Sequence, residues 1–427
     1  MKVLVLTHRL PYAPNRGDRI RSFHIIQELA RHAEVRVVSL VHDREEAAEV
    51  GTLERTGVRV WTAAVPRLRN MARAATTLMG STPLTHTLLA APEMTAAVAG
   101  ATDDWTPDVV LAYCSGVAPV ALAPPLARLP MVIDFVDVDS AKWATLAESA
   151  FPPKSWVFHR EARCLASFEA VAAQAARMAT VVNERERDAL LRVCPEARVE
   201  VIPNGVDIDA FRAWEPPAAN HDVVFSGVFN YAPNVEGAVW LAREVWPRVK
   251  DAVSDARLML VGANPDRTTR RLASADPSIM VTGSVRDMRP YLWGSAVAVA
   301  PLFTARGVQN KVLEAVAASL PVVVTPAVWD GLPKEVFPAC RRAESATEFA
   351  RTLIELLSLT PAARRRVVGG ARLAGLGWRQ RLAPLMTLIE NAAGPGTGDV
   401  PVDTSLTSRS PQLRSSSGSL LELSHRA

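Results

Sequence analysis

RGVQNKVLEAVAASLPVVVTP, residues 306–326, passes from a turn opened by Gly307 into an apolar stretch at helical spacing, and then directly into the strand-like run PVVVT at 321–325. The run AVAVAP at 296–301 precedes it, so the segment reads strand, helix, strand. Strands joined in this way lie parallel, because the helix carries the chain back across the sheet. The same stretch sets Lys311 and Glu314 three residues apart, on one face of the helix.

Outward from this unit, DVVFSG (222–227) and ARLMLVG (256–262) add strands, while NVEGAVWLAREVWPRVK (234–250) and RDMRPYLWG (286–294) add helices. The first half of the chain has its own set. KVLVLT (2–7), VRVVSLV (35–41), VRVWTA (58–63), VVLAY (109–113), MVIDFV (131–136) and ATVVN (179–183) read as strands, and DRIRSFHIIQELARH (18–32) as a helix capped by Asp18. The pattern restarts after VEVIPNGVDIDAF (199–211) and the proline-rich WEPPAANHD (214–222). This alternation predicts an α/β protein with two parallel, doubly wound sheets. A length of 427 residues fits two domains at ~100–200 residues each. Helices near 361–374 and 378–392 close the folded part, and the Gly, Ser, Pro and Thr content of 393–427 predicts a disordered tail.

Composition narrows the function classes. Hydrophobic residues at 49% and charged residues at 22% are globular values, against a fibrous or largely disordered chain. Lys and Arg total 48 against 44 acidic residues, a net charge of +4. That is too mild for a nucleic-acid binder, but it suits anionic small molecules or an anionic membrane surface. Cys114, Cys164, Cys194 and Cys340 form no C-x-x-C pair and read as reduced thiols of a cytoplasmic protein. The N-terminus lacks the features of a signal peptide, and no apolar run reaches the ~18 residues of a membrane-spanning helix.

Two segments fit the crevice beyond the strand ends, where helix N-termini offer free amides to phosphate. PNRGDRIRS (14–22) follows the first strand, with Gly17 flanked by Arg16, Arg19 and Arg21. It reads either as a phosphate loop or as an ordinary turn with solvated arginines, and it is not a G-x-G-x-x-G dinucleotide motif. TARGVQNKVLEA (304–315) places Arg306, Gly307, Asn310 and Lys311 at the positive end of a helix. Glu314 would be misplaced beside phosphate and should meet neutral hydroxyls such as those of a ribose. The alternative is an exposed intrahelical ion pair between Lys311 and Glu314.

VIPNGVD (201–207), LMLVG (258–262), VTGSVRDMRPYLWGSAVAVAPL (281–302) and NKVLEAVAASLPVVVT (310–325) resemble the C-terminal signature of family 4 glycosyltransferases of the GT-B fold. VIDFVDVDSAKW (132–143), FSGVFNYAPNVEGAVWL (225–241) and RGVQNKVLEA (306–315) resemble the subgroup associated with PEP-CTERM/exosortase and exopolysaccharide gene clusters. The resemblance implies two Rossmann-like domains facing a cleft: an acceptor domain at 1–203 and a nucleotide-sugar donor domain at 204–377. A helix at 378–392 is expected to pack back on the first. It implies a retaining, metal-independent transfer of a sugar from a nucleoside diphosphate carrier, with UDP the expected one, to a polysaccharide or lipid-linked acceptor. No cofactor is expected.

Residue by residue, the resemblance assigns Glu314 to the donor ribose and Gly307, Val308, Asn310 and Lys311 to the diphosphate. Gly283 to Val285 would lie along the base, and Gly227 belongs to the same donor set. Gly17 would border the phosphates and the reacting sugar. The expected catalytic set is Lys311, Gly17 and Asp137. There are departures: Arg306 stands where the broad family has the first glutamate of E-x₇-E, and the loop AYCSGVAPV (112–120) has no histidine. Asp134, Asp137 and Asp139 of DFVDVD are candidates for acceptor handling, or less simply for a metal. A sugar-nucleotide epimerase of the same architecture and a non-enzymatic sugar-binding protein are the other function classes.

PRLRNMARAATTLMGSTPL (66–84) mixes Arg67, Arg69 and Arg73 with Leu68, Met71, Ala75 and Leu78. It reads either as a basic amphipathic helix that can lie on anionic lipid, which the resemblance implies would be the inner face of the cytoplasmic membrane, or as a surface helix packed on the sheet.

Overall fold

The computed structural model describes residues 1–12, 17–148, 150–213, 219–305 and 307–394. Arg306 and, but for its first two residues, the expected tail lie outside them; of those two, Ala393 is the last residue of a helix.

Strands β1 (Lys2–Thr7), β2 (Glu34–Val41), β3 (Arg59–Ala64), β4 (Val109–Tyr113), β5 (Met131–Val136), β6 (Met178–Val181) and β7 (Val199–Val201) form one sheet in the order β3-β2-β1-β4-β5-β6-β7. A second sheet takes β8 (Asp222–Ser226), β9 (Arg257–Val261), β10 (Ile279–Val281), β11 (Val297–Ala300), β12 (Val322–Val324) and β13 (Cys340–Arg342) in the order β10-β9-β8-β11-β12-β13. The pairings in both are parallel. Central strands such as β1, β4 and β11 are buried along nearly their whole length, because helices cover both faces of a parallel sheet. Continuous apolar runs made those strands legible. β10 and β13 lie at sheet edges and are three residues long with exposed positions, too short for a run of apolar residues to announce them.

Each sheet reverses its strand order once, between β1 and β4 and between β8 and β11. These switch points open crevices at the strand C-termini. The chain reaches them through the Gly17–Leu29 helix after β1 and the Asn310–Ala317 helix after β11.

The stretch expected as one helix over 234–250 is interrupted. Helices Ala232–Trp240 and Trp246–Ala252 flank a π-turn at Leu241–Val245. Pro247 has no N–H to donate back into the preceding turn, so a regular α ladder cannot pass through it.

The two sheets are stitched by crossing segments. Val206 N donates to Leu376 O (2.9 Å), and a Cβ on Gly205 would come 2.6 Å from the Trp378 backbone. The glycine of VIPNGVD is therefore required by close approach of two chains. The Trp378–Ala393 helix then buries Trp378, Leu382, Leu385 and Ile389 in the same core as Val3, Val5 and Ile26.

His24, on the Gly17–Leu29 helix, stacks on Trp378 with ring centroids 4.6 Å apart. Burial lowers its pKa from 6.5 to about 4, against the pull of Asp207. The unfolded chain binds this proton more readily, so stability is lost as pH falls from 6.5 toward 4, by about 1.4 kcal/mol per unit at most. Chemical denaturation across that window should show a flatter pH profile for His24→Phe, which keeps the ring contact without the proton; an unchanged slope would remove His24 from the account.

Candidate active site

Beyond β8 the chain turns through Gly227, whose N–H donates to Val261 O at 3.1 Å. The fit is tight: a Cβ at Gly262 (φ +149°) would sit 1.7 Å from the Gly227 carbonyl oxygen. A Cβ at Gly227 would come 2.9 Å from the Asn234 side-chain amide. Asn234 Nδ2 donates to Val228 O (3.0 Å), which turns Oδ1 toward the next element, where it accepts from Lys311 Nζ at 2.8 Å. The ammonium also lies 4.8 Å from the centroid of the Phe225 ring. Gly227 and Lys311 thus meet through Asn234, a residue that sequence reasoning did not single out and that only its place in FNYAPN could have signalled.

The exposed ion pair weighed for Lys311 and Glu314 is absent. Both side chains are half-buried, and no ion pair joins them. Burial lowers Lys311 to about 7, opposed by the charge of Glu314, and raises Glu314 to about 7, opposed by Lys311. No hydrogen bond to the Glu314 carboxyl is formed among the described residues. A half-buried acceptor without a donor is a group set for an external hydroxyl.

Asn310 opens the helix, and its Oδ1 is buried without a partner. Gly307 (φ +66°) and Val308 line a cavity of about 670 Å³ between the two sheets, with Asn183, Asn204, Thr304 and Asp330 among its walls. A Cβ on Gly307 would meet Asn183 Nδ2 at 2.9 Å, so the two lobes approach closely there. Gly283 (φ +72°) lines a separate cavity of about 490 Å³ with Asn264, Arg270 and Ser284. Val285 is half-buried against the core of the second lobe.

The first lobe carries the other candidates. Gly17 is the first residue of its helix. The positive charge expected around it from Arg19 and Arg21 is engaged elsewhere. Arg19 bonds to Tyr12 Oη (2.6 Å) and Glu46 (3.1 Å), and Arg21 to Asp134 (2.7 and 3.3 Å) and Asn204 (3.1 Å). Asp134 is fully buried in that pair and is not open to an acceptor. Asp137 is half-buried. Asp139 begins the Asp139–Glu148 helix and accepts from Ser115 Oγ at 2.6 Å. Among the described residues no group of three or more His, Cys, Asp and Glu side chains gathers as a cation site.

Among the described residues, two non-glycine positions hold left-handed backbone at this end of the sheet: Cys114 (φ 73°) after β4 and Val136 (φ 65°) closing β5. A β-branched residue is an outlier there, and such strain collects where a crevice is shaped. The loop after β4 has no histidine of its own, but the His86 ring reaches the Ser115 backbone from the Leu84–Leu89 helix, with burial lowering its pKa. Behind Asp139, Glu169 accepts from the N–H (3.1 Å) and hydroxyl of Ser140, and burial pushes it up to about 8. Neither was legible in sequence, because both arrive from helices distant along the chain.

Residues 18–205 match the family model described as "Glycosyl transferase 4-like domain", and residues 220–359 that described as "Glycosyl transferases group 1". No curated protein matches the chain. Among solved structures it is similar to the Candida albicans trehalose-6-phosphate phosphatase N-terminal domain (11% identity, TM-score 0.62, covering 92% of this chain and 97% of that one). It is also similar to Anabaena HepE in complex with UDP (15%, 0.59, 91% and 100%) and to a UDP-forming α,α-trehalose-phosphate synthase from Burkholderia xenovorans (11%, 0.60, 92% and 99%). At these identities the likeness shows the fold, which is GT-B.

Proposed function

The chain joins a glycosyl transferase 4-like domain to a group 1 glycosyl transferase domain, and from that premise we propose that it moves a sugar from a nucleoside diphosphate carrier onto a carbohydrate or lipid-linked acceptor, with retention of configuration. The observation that carries this reading is the Lys311 ammonium and the unpartnered Glu314 carboxyl on one helix at the second switch point. The diphosphate would take the amides from Gly307 to Lys311 and the ammonium, and the ribose hydroxyls would donate to Glu314. As the bond from the anomeric carbon to the diphosphate breaks, the negative charge developing on the leaving oxygen is met by donors already in place. The acceptor hydroxyl attacks from the same face and passes its proton to that oxygen.

UDP is the expected carrier, since similar structures include a UDP complex and a UDP-forming enzyme. The acceptor side would be the first lobe, with Gly17 and Asp137 at its crevice. The subgroup resemblance supports a role in exopolysaccharide synthesis with PEP-CTERM/exosortase clusters, with the reaction at the inner face of the cytoplasmic membrane. Among the described residues no helix is long and apolar enough to cross a membrane.

A thermal-shift panel of UDP, GDP, ADP and dTDP with chelator present tests the reading. At ~100 times its dissociation constant a ligand adds ~2.7 kcal/mol, enough to rank the bases. UDP should give the largest shift; no shift with any of the four would end the proposal.

A further inference from the structure

The Arg67–Thr77 helix is amphipathic the wrong way round for a helix packed on a core. Helical spacing puts Asn70, Ala74 and Thr77 on one stripe and Leu68, Met71, Ala72 and Ala75 on the opposite one. The polar stripe faces the protein. Asn70 is buried and donates through Nδ2 to the carbonyls of Leu88 (3.0 Å) and Ala90 (2.8 Å), and Thr77 Oγ1 lies 3.1 Å from Thr87 Oγ1. The apolar stripe faces out, with Leu68 86% and Met71 64% exposed. By the same spacing Arg69 and Arg73 border it on one side and Arg67 on the other, all three exposed.

A second element is locked to this helix. Arg160, buried on the Lys154–Ala175 helix, donates to the carbonyls of Thr77, Leu78, Gly80 and Thr82. That clasp fixes the loop carrying Met79, which is 89% exposed. One turn before Arg160 on the same helix face stands Trp156, 55% exposed, and Phe151 in the preceding turn is 86% exposed, with Lys154 between them. Single exposed apolar residues are ordinary on a protein surface. A helix that turns asparagine inward and leucine and methionine outward between arginines is not.

We propose that this surface of the first lobe docks on an anionic lipid bilayer, with Leu68, Met71, Met79, Phe151 and Trp156 entering the interface and Arg67, Arg69, Arg73 and Lys154 meeting the headgroup phosphates. The docked lobe is the one that would hold a lipid-linked acceptor; only in that consequence does the inference rest on the transferase reading. Lipid binding is measured without donor, so its failure and the failure of that reading are separate results.

The experiment is co-sedimentation of the full chain with phosphatidylcholine vesicles, with and without phosphatidylserine. The chain should sediment with the anionic vesicles and be released by high salt. The triple variant Arg67→Gln, Arg69→Gln, Arg73→Gln should bind about a hundredfold more weakly, and Leu68→Ser with Met71→Ser about tenfold. Both variants should melt as the parent does, because the replaced side chains are exposed. Equal sedimentation of parent and variants overturns the proposal, as does a parent that ignores anionic vesicles. A parent that dimerises and becomes monomeric on Leu68→Ser with Met71→Ser would give the surface to a second copy instead.

Discussion

Lys311→Ala is expected to reduce turnover by two to three orders of magnitude while leaving the melting temperature nearly unchanged. Loss of one preorganised donor to a developing oxyanion costs ~2.7–4 kcal/mol of transition-state stabilisation. Folding loses little, because burial already works against the charged form of Lys311: desolvation lowers its pKa to about 7. The same shift has a measurable sign. A bound diphosphate restores the charged form, so well above pH 7, where Glu314 is already ionised, donor binding should take up protons. Titration calorimetry in buffers of different ionisation enthalpy reads that uptake, which Lys311→Ala should abolish. Steady-state kinetics showing an intact rate for the variant would remove Lys311 from the chemistry.

Arg21→Ala is expected to have the largest effect on stability, about 3–5 kcal/mol. Its guanidinium meets Asp134 through two hydrogen bonds with both side chains essentially inaccessible, and removing one partner strands a buried carboxylate. The discriminating variant is Arg21→Met with Asp134→Leu. Replacing both partners with apolar side chains of similar size should recover most of the loss, because the desolvation cost of both charges disappears together. Urea denaturation of the two variants separates these outcomes. If the single and double changes cost the same, the pair is not what holds the Gly17–Leu29 helix to β5.

The architecture was readable because its signal is local. KVLVLT and VVLAY are apolar throughout since their strands are buried on both faces, and the helix after Gly307 shows its period over eight residues. Short edge strands such as CRR have no such signal. The candidate site was readable in part for the same reason. Lys311 and Glu314 share one helix, so their common face followed from spacing, whereas their half-burial and their separation from one another did not. Arg21 was misread as a solvated or phosphate-facing charge. Its partner Asp134 lies 113 positions away, and no local pattern joins them. Asn234, which orients Lys311 from 77 positions away, was missed on the same grounds.

The outward stripe of the Arg67–Thr77 helix is a different case. The sequence shows apolar and basic residues at helical spacing, but which stripe faces the protein depends on Asn70 finding the carbonyls of Leu88 and Ala90. That choice is tertiary and could not be read from periodicity.

The central claim is that the helix after β11 grips the diphosphate of an activated sugar while Glu314 holds its ribose. A crystal structure with UDP bound tests it most directly. The account predicts phosphate oxygens within hydrogen-bond distance of Lys311 Nζ and of the amides following Gly307, with both ribose hydroxyls on Glu314. UDP bound elsewhere, with the Lys311 ammonium still on Asn234 and the Glu314 carboxyl still without a donor, would contradict it.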